Sequence, residues 1–382
     1  MVNICFFTSS RAEYGILKNL IVRLKKNKKF RIHLVVTGSH LSKFFGNTIN
    51  EIKNDKIKID KLINFKIKKN NPKEILENLS GILKEFSHFY EKKKIDLLIV
   101  LGDRVELLPP VIGSLLYKIP VCHIHGGEKT LSAIDDNVRH AISKLSFFHL
   151  VSTNEYKKRL IQLGENKKNI FNIGSLMIDS YQRNFFLNRE KIQEAILKPL
   201  KKVNFLVTIH PETHFSKIEN IRNLKILLSA LSKFPDYLFI FTATNFDVLG
   251  VIYNETIKKF VRKNSKNCLF IKSMGSLLYL SYANISNGVI GNSSSGIIEI
   301  PSLGVPTLNL GMRQTGRIAS DSIINCNFDK NKICQNIRKM SFMKKSLYKN
   351  PYYKKNSISN AVKIIKKFNY KKNLIKNFHD IF

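Results

Sequence analysis

The chain has no tryptophan and only five cysteines, Cys5, Cys122, Cys268, Cys326 and Cys334. An odd number of thiols without a C-x-x-C pair argues against a disulfide framework or a zinc ribbon and suits a reducing cytoplasm. No apolar run reaches the roughly 18 residues that a membrane-spanning helix needs, so no membrane partner is expected. The opening "MVNICFFTSS" has no basic n-region and reads directly as a strand, so no secretory leader is expected. Acidic residues are scarce: 28 Asp and Glu stand against 64 Lys and Arg, a formal net charge of +36. Concentrated on one face, such an excess would mark a nucleic-acid binder. Here it is mostly lysine, spread through "RLKKNKKF", "KIKKNNPK", "LKPLKKV" and "FMKKSLYKNPYYKK". No arginine-rich helix, aromatic-basic motif or zinc finger accompanies it, so solvated faces account for it and no nucleic-acid partner is expected. G-x-G-x-x-G and G-K-[ST] are also missing, which excludes a glycine-fingerprint dinucleotide site and a P-loop.

What is present is a regular alternation of short apolar runs with amphipathic stretches, the pattern of parallel α/β architecture. "NICFFTS", "IHLVVTG", "DLLIVLGD", "PVCHIHGG", "FFHLVST" and "NIFNIGS" read as strands of a first half. "NFLVTIHPE", "YLFIFTAT", "NCLFIKS", "GVIGNSSSG" and "VPTLNLG" restart the pattern in a second. A length of 382 residues suits two such domains. The expected organisation is a Rossmann-like domain over 1–182, a lysine-rich linker over 183–203 and a second Rossmann-like domain over 204–355. A helix in 356–382 is expected to pack back on the first domain. Two doubly wound sheets of this kind bind ligands at the carboxyl ends of their strands, in a cleft between them. Six polar turns, "TSSRAEYG", "VTGSH", "LGDR", "HIHGGE", "TIHPET" and "GNSSSG", fall at such ends.

The densest chemistry lies in "HIHGGEKTLSAIDDNVRH", residues 123–140. His123 and His125 form an H-x-H pair that Glu128 and His140 could complete as a metal site. His123 sits in a strand that should be buried, where a hydrogen-bonded core histidine is the commoner outcome, so no metal is expected. Asp103 and Glu128 end two strands, and Asp135 and Asp136 open the next helix. One of that pair is explained as an N-terminal cap. Capping leaves Asp103 and Glu128 unexplained, and gathered carboxylates raise at least one pKa toward a catalytic value. Arg139 is placed to hold the cluster together. In the second half, Ser293, Ser294, Ser295 and Gly296 join a strand to a helix through "GIIEIPSLG", a setting in which hydroxyls and backbone N–H groups bind anions. Arg313 and Arg317 in "GMRQTGR" can add bidentate phosphate contacts.

With these residues in place, the chain resembles the hydrolysing UDP-N-acetylglucosamine 2-epimerases of sialic-acid biosynthesis over nearly its whole length. The likeness is carried by "SSRAEYGIL", "VTGSHL", "FGNTI", "LGDRVE", "HIHGGEKT", "DDNVRHAISKLS", "EYKKRLIQLGE", "IHPET" and "GNSSSGIIEIPSLGVPTLNLG" followed by "RQTGR". It implies a two-domain fold of the glycosyltransferase-B type, a homo-oligomer (dimer or tetramer), no cofactor, and a UDP-sugar substrate. The implied chemistry is removal of the sugar C2 proton with anti loss of UDP, then hydration of the resulting 2-acetamidoglucal to N-acetylmannosamine. By motif, Asp103, Glu128 and one of Asp135 and Asp136 would be the acid/base groups, supported by Arg139 and His210. Arg11 and Glu13 would lie on the nucleotide side, Ser293, Ser294, Ser295 and Gly296 at the phosphates, Glu299 at the ribose, and Arg313 and Arg317 in the phosphate region. The nearest alternatives are the same reaction on a UDP- or GDP-linked 2,4-diacetamido-2,4,6-trideoxy sugar, and a non-hydrolysing epimerisation that leaves UDP attached.

Overall fold

The computed structural model of the chain describes residues 1–41, 48–65, 71–131, 134–180, 186–244, 249–370 and 376–380. Part of the "FGNTI" motif (45–47), the expected domain end at 182 and the first expected linker residues (183–185) lie outside the described residues.

The first unit comprises Met1–Glu128, Ile134–Ser180 and Tyr352–Phe382. Its elements run β1 (Val2–Thr8), α1 (Arg11–Lys25), β2 (Phe30–Val36), α2 (Ile49–Asn54), β3 (Lys61–Leu62), α3 (Pro72–Lys92) and β4 (Leu97–Leu101). They continue with α4 (Leu108–Leu116), β5 (Val121–Ile124), α5 (Ile134–Leu145), β6 (Phe148–Val151), α6 (Asn154–Gln162) and β7 (Ile170–Asn172). The seven strands are all parallel, in the order β3-β2-β1-β4-β5-β6-β7. All five residues of β4, "LLIVL", are buried, as a parallel strand covered on both faces requires. On one face Ile4, Phe6, Ile99 and Ile124 pack with Leu17, Leu20 and Leu24 of α1. On the other, Phe7 meets Phe86 of α3 edge to face at 5.3 Å. Helix α3 starts where Asn71 accepts the Glu74 N–H and proline occupies the first turn.

The second unit comprises Lys129–Ala133 and Tyr181–Pro351. It holds α7 (Arg189–Ile196), β8 (Asn204–Thr208), α8 (Lys217–Leu231), β9 (Leu238–Thr242), α9 (Gly250–Lys263) and β10 (Cys268–Ile271). After these come α10 (Gly275–Ile285), β11 (Gly288–Gly291), α11 (Ser294–Ile298), β12 (Thr307–Leu310), β13 (Ile323–Cys326) and α12 (Lys330–Phe342). Its six strands are again parallel, in the order β10-β9-β8-β11-β12-β13. Both sheets therefore reverse their winding beside the first strand of the unit, between β1 and β4 and between β8 and β11. At such switch points α/β sheets bind ligands.

The lysine-rich stretch expected to be a linker is structured instead. It contains α7, whose Ile192 and Ile196 are buried with Leu206, Leu238 and Tyr282 in the second unit's core. Two apolar residues four apart gave that helix its buried stripe, and the surrounding lysines hid it. The last helix, α13 (Ser357–Lys367), places Ala361 and Ile365 in the core of the first unit. Beyond it, His379 N–H donates to the Gly164 carbonyl at 3.0 Å. Phe378 lies so close to Gly164 that a β-carbon there would overlap its ring. Lys376 Nζ donates to the Ser143 (3.3 Å), Lys144 and Ser146 (2.6 Å) carbonyls at the end of α5, and pairs with buried Glu165 at 2.7 Å.

Candidate active site

Four of the six polar turns follow β1, β2, β4 and β5 in the first unit, and two follow β8 and β11 in the second. In the first unit the side chains converge on Arg139. Its guanidinium is 1% exposed and forms an ion pair with Asp103 at the end of β4. It also donates to Asp136 Oδ1 at 3.0 Å, one helical turn back on α5, and to the Glu128 carbonyl at 3.1 Å. One arginine thus binds a strand end, a turn and a helix start, with charge-assisted bonds that offset the cost of its burial. Asp136 Oδ2 lies 3.6 Å from His140 Nε2.

Glu128 is itself buried. Its Oε1 accepts from Ser152 Oγ at 3.2 Å, just past β6, and sits 2.8 Å from His125 Nδ1. The turn between the two is tightly specified. Gly127 has φ +74°, and a β-carbon there would fall 2.5 Å from the Tyr156 carbonyl oxygen. His125 has φ +65°, a left-handed conformation uncommon for a side chain of this size. The H-x-H pair is therefore split, and the two rings do not share one strand face. Strand β5 ends at Ile124, and His125 turns away with Glu128. His123, fully buried, bonds through Nδ1 with Ser143 Oγ at 3.0 Å and through Nε2 with the Gly102 carbonyl at 2.7 Å. Burial, with the Gly102 bond opposing it, lowers the His123 pKa to about 3, so this imidazole is neutral at physiological pH.

A second cluster stands at the β1/β4 switch point. Glu13 on α1 accepts the Ser9 N–H at 2.6 Å and lies 3.8 Å from Arg104 Nε. Arg104 Nη2 donates to Glu106 at 3.4 Å, so one arginine bridges two buried carboxylates. Burial raises Glu13 to about 7, against the opposing pull of Arg104.

In the second unit, Asn292 organises the β8/β11 switch point. Its side chain accepts the His210 N–H at 2.7 Å and donates to the His210 carbonyl at 2.9 Å, clamping the turn after β8. The Asn292 carbonyl accepts from Arg313 Nη1 at 3.2 Å and from Gln314 Nε2 at 2.8 Å. Ser293 caps α11, and Ser295 Oγ lies 3.0 Å from Ser293 Oγ and 2.7 Å from Tyr279 OH. The helix expected through "GIIEIPSLG" is short: α11 ends at Ile298 and a 3-10 turn, Ile300–Leu303, carries Pro301. Gly296 packs on Thr307, and Glu299 is buried at the end of α11. Arg317 lines a 590 Å³ cavity with Met312, Asn309, Asn325 and Lys332. Leu131 N–H donates to the Thr315 carbonyl at 3.1 Å, tying the segment after Glu128 to the "GMRQTGR" loop.

The structure thus brings Asp103, Glu128, Asp136 and Arg139 together. Asp135 is beside them on α5, while Arg11 and Glu13 open α1. Helix α5 begins at Ile134, so both aspartates lie inside its first turn, where the helix dipole favours them, rather than one in the flanking cap position. His210, Ser293, Ser294, Ser295, Gly296, Glu299, Arg313 and Arg317 belong to the second unit. Arg104, Glu106, Ser152 and Asn292 were not singled out from sequence, although Arg104 and Glu106 stand within "LGDRVE" and Asn292 within "GNSSSG".

Two doubly wound parallel sheets with polar side chains gathered at their strand ends define an α/β protein of the glycosyltransferase-B type. The chain belongs to the UDP-N-acetylglucosamine 2-epimerase family, whose model matches residues 22–366. It is 40% identical to the polysialic acid biosynthesis protein P7 of Escherichia coli, across 100% of this chain and 98% of that one. It is 39% identical to the GDP/UDP-N,N'-diacetylbacillosamine 2-epimerase (hydrolyzing) of Campylobacter jejuni, across 84% and 83% of the two chains. In fold it is similar to the UDP-GlcNAc 2-epimerase of Neisseria meningitidis in its structure bound to UDP-GlcNAc, with a TM-score of 0.80 at 18% identity over 96% and 100% of the chains. Among the described residues no helix is long and apolar enough to cross a membrane.

Proposed function

We propose that this chain is a hydrolysing 2-epimerase that converts UDP-N-acetylglucosamine to N-acetylmannosamine and UDP for sialic-acid-type sugar biosynthesis. It works in the cytoplasm as a homo-oligomer and needs no cofactor. One observation carries the reading above all: the carboxylates of Asp103 and Asp136, from β4 and α5, meet at a buried arginine that also holds the backbone of Glu128 at the β5 turn. Such a cluster suits proton transfer more than group transfer.

The C2 proton of an N-acetyl sugar is weakly acidic, so a base must remove it as the diphosphate departs. The C2–H electron pair becomes the C1=C2 double bond, the C1–O bond breaks, and UDP leaves with that pair. Water then adds to C1 while C2 takes a proton with inverted configuration. In this reading Asp103, Glu128 and the α5 acids move the protons, and Arg139 fixes their separation. The second unit stabilises UDP through Arg313, Arg317, His210 and the Ser293–Gly296 turn, with Glu299 on the ribose. Arg11 and Glu13 complete the nucleotide side.

The Campylobacter relative's name supports a second reading, in which the sugar is a 2,4-diacetamido-trideoxy hexose on the same carrier or on GDP. Incubation of both sugars in deuterium oxide tests these readings together. Free UDP with deuterium at C2 of a released 2-epimer is expected from the true substrate. A 2-epimer still joined to UDP would mean the non-hydrolysing reaction. Protium at C2 would mean plain hydrolysis and would sink the epimerase mechanism.

A further inference from the structure

His125 is not used by the reaction as described above, yet it is the most unusual residue of the first unit's site. Its backbone is left-handed, as at four other described non-glycine residues, and strain of this kind clusters at active sites. Its Nδ1 lies 2.8 Å from Glu128 Oε1. Its Nε2 is buried with no hydrogen-bond partner among the described residues, although the side chain keeps 8% of its surface exposed. A buried polar atom without a partner in a folded protein calls for an explanation, and an active site is one place where it occurs. By contrast His123, two residues earlier, has both nitrogens satisfied and behaves as a structural histidine.

We propose that His125 is a catalytic residue and that Glu128 acts on the substrate through it. The inference rests on the epimerase reading and changes one assignment within it. Glu128 is held by Ser152 Oγ and accepts Nδ1–H, which fixes the tautomer that leaves the Nε2 lone pair free. In the elimination Nε2 takes the C2 proton, the C2–H pair forms the C1=C2 bond, and UDP leaves with the C1–O pair. The imidazolium that results is balanced by Glu128, the arrangement that orients and stabilises a histidine base in acyl-transfer triads. The substrate's C2–H is then the partner that Nε2 lacks.

The test uses full-length wild type, His125→Ala and His125→Asn with the turned-over UDP-sugar, reading UDP release, C2 deuterium, and UDP affinity by calorimetry. Both variants should lose at least about 100-fold in kcat, the lower range for a general base, with UDP affinity within about threefold. Imidazole added to His125→Ala should restore part of the rate, and the acidic limb of the wild-type kcat/KM profile should show the large ionisation enthalpy of an imidazole. Turnover of His125→Ala within threefold of wild type would overturn the inference. So would a loss that imidazole leaves untouched, or one accompanied by an equal loss of UDP affinity, either of which marks a structural role. A wild type that releases no UDP from either sugar would overturn the epimerase reading, and this inference with it.

Discussion

Arg139 and Asp103 stand 36 residues apart in sequence and form an ion pair whose arginine is almost wholly buried. The pair joins α5 to the end of β4, and Asp136 and the Glu128 carbonyl accept further bonds from the same guanidinium. Lysine at position 139 would keep the charge but not the planar fork. Arg139→Lys should therefore lower kcat at least tenfold while UDP binding by calorimetry stays near normal. An unchanged kcat would show that the cluster tolerates loose geometry.

Asp103→Asn and Glu128→Gln should each reduce turnover by about 10²–10⁴-fold, the usual range for lost acid/base function. Neither is assigned to the nucleotide, so UDP affinity should survive both. Steady-state kinetics of the two variants decides, and near-wild-type kcat in either removes that residue from the chemistry.

On the nucleotide side, Arg313→Ala and the Ser294→Ala/Ser295→Ala double variant should weaken UDP binding. Each removes bonds to a charged ligand that are worth about 1.5–3 kcal/mol. Equal Kd values in calorimetry would place the phosphates elsewhere.

Glu13 supplies a pH signature. Its folded pKa, about 7, lies above an ordinary 4.5, so the folded protein binds the extra proton between those values. Stability from this group is complete below the lower value and is lost as pH rises through the upper, a change of order 3 kcal/mol. Urea unfolding of wild type and Glu13→Gln from pH 4.5 to 8 should show their difference shifting against wild type with rising pH. A constant difference would mean that Glu13 is ionised throughout.

Lys376→Met removes the ammonium that caps the end of α5 and pairs with Glu165. Glu165 keeps Lys144 at 3.2 Å and His149 at 3.0 Å, so the variant should fold. A loss of about 1–3 kcal/mol in urea unfolding is expected, with faster amide exchange at the end of α5. Unchanged exchange there would show that the last residues do not brace the helix.

Much of this was legible in the sequence. The alternation of apolar runs and amphipathic stretches located the strands, and the polar turns marked their carboxyl ends, because parallel strands buried on both faces must end in solvent-compatible residues. Asp103, Glu128 and Arg139 stood out because charge is expensive near a core. The sign of a backbone dihedral has no such signature, so the turn that separates His125 from His123 was not visible. Nor was the link of Lys376 to Ser143, which spans 233 residues. Helix α7 was obscured because its two buried isoleucines lie among lysines that serve solubility. That Asp135 and Asp136 both lie in the first turn of α5 was not legible either, because aspartate suits both the cap and the first turn.

The division of the chain has a bearing on how the protein is made. The polypeptide passes from one unit to the other after residues 128, 133, 180 and 351. A ribosome therefore releases every residue of the second unit before it reaches α13, whose Ala361 and Ile365 belong to the interior of the first. The half that is begun first is the half that must wait, keeping an apolar face open until α13 arrives. A stop codon between residues 351 and 361 would spare the later half and leave the earlier one without this part of its interior.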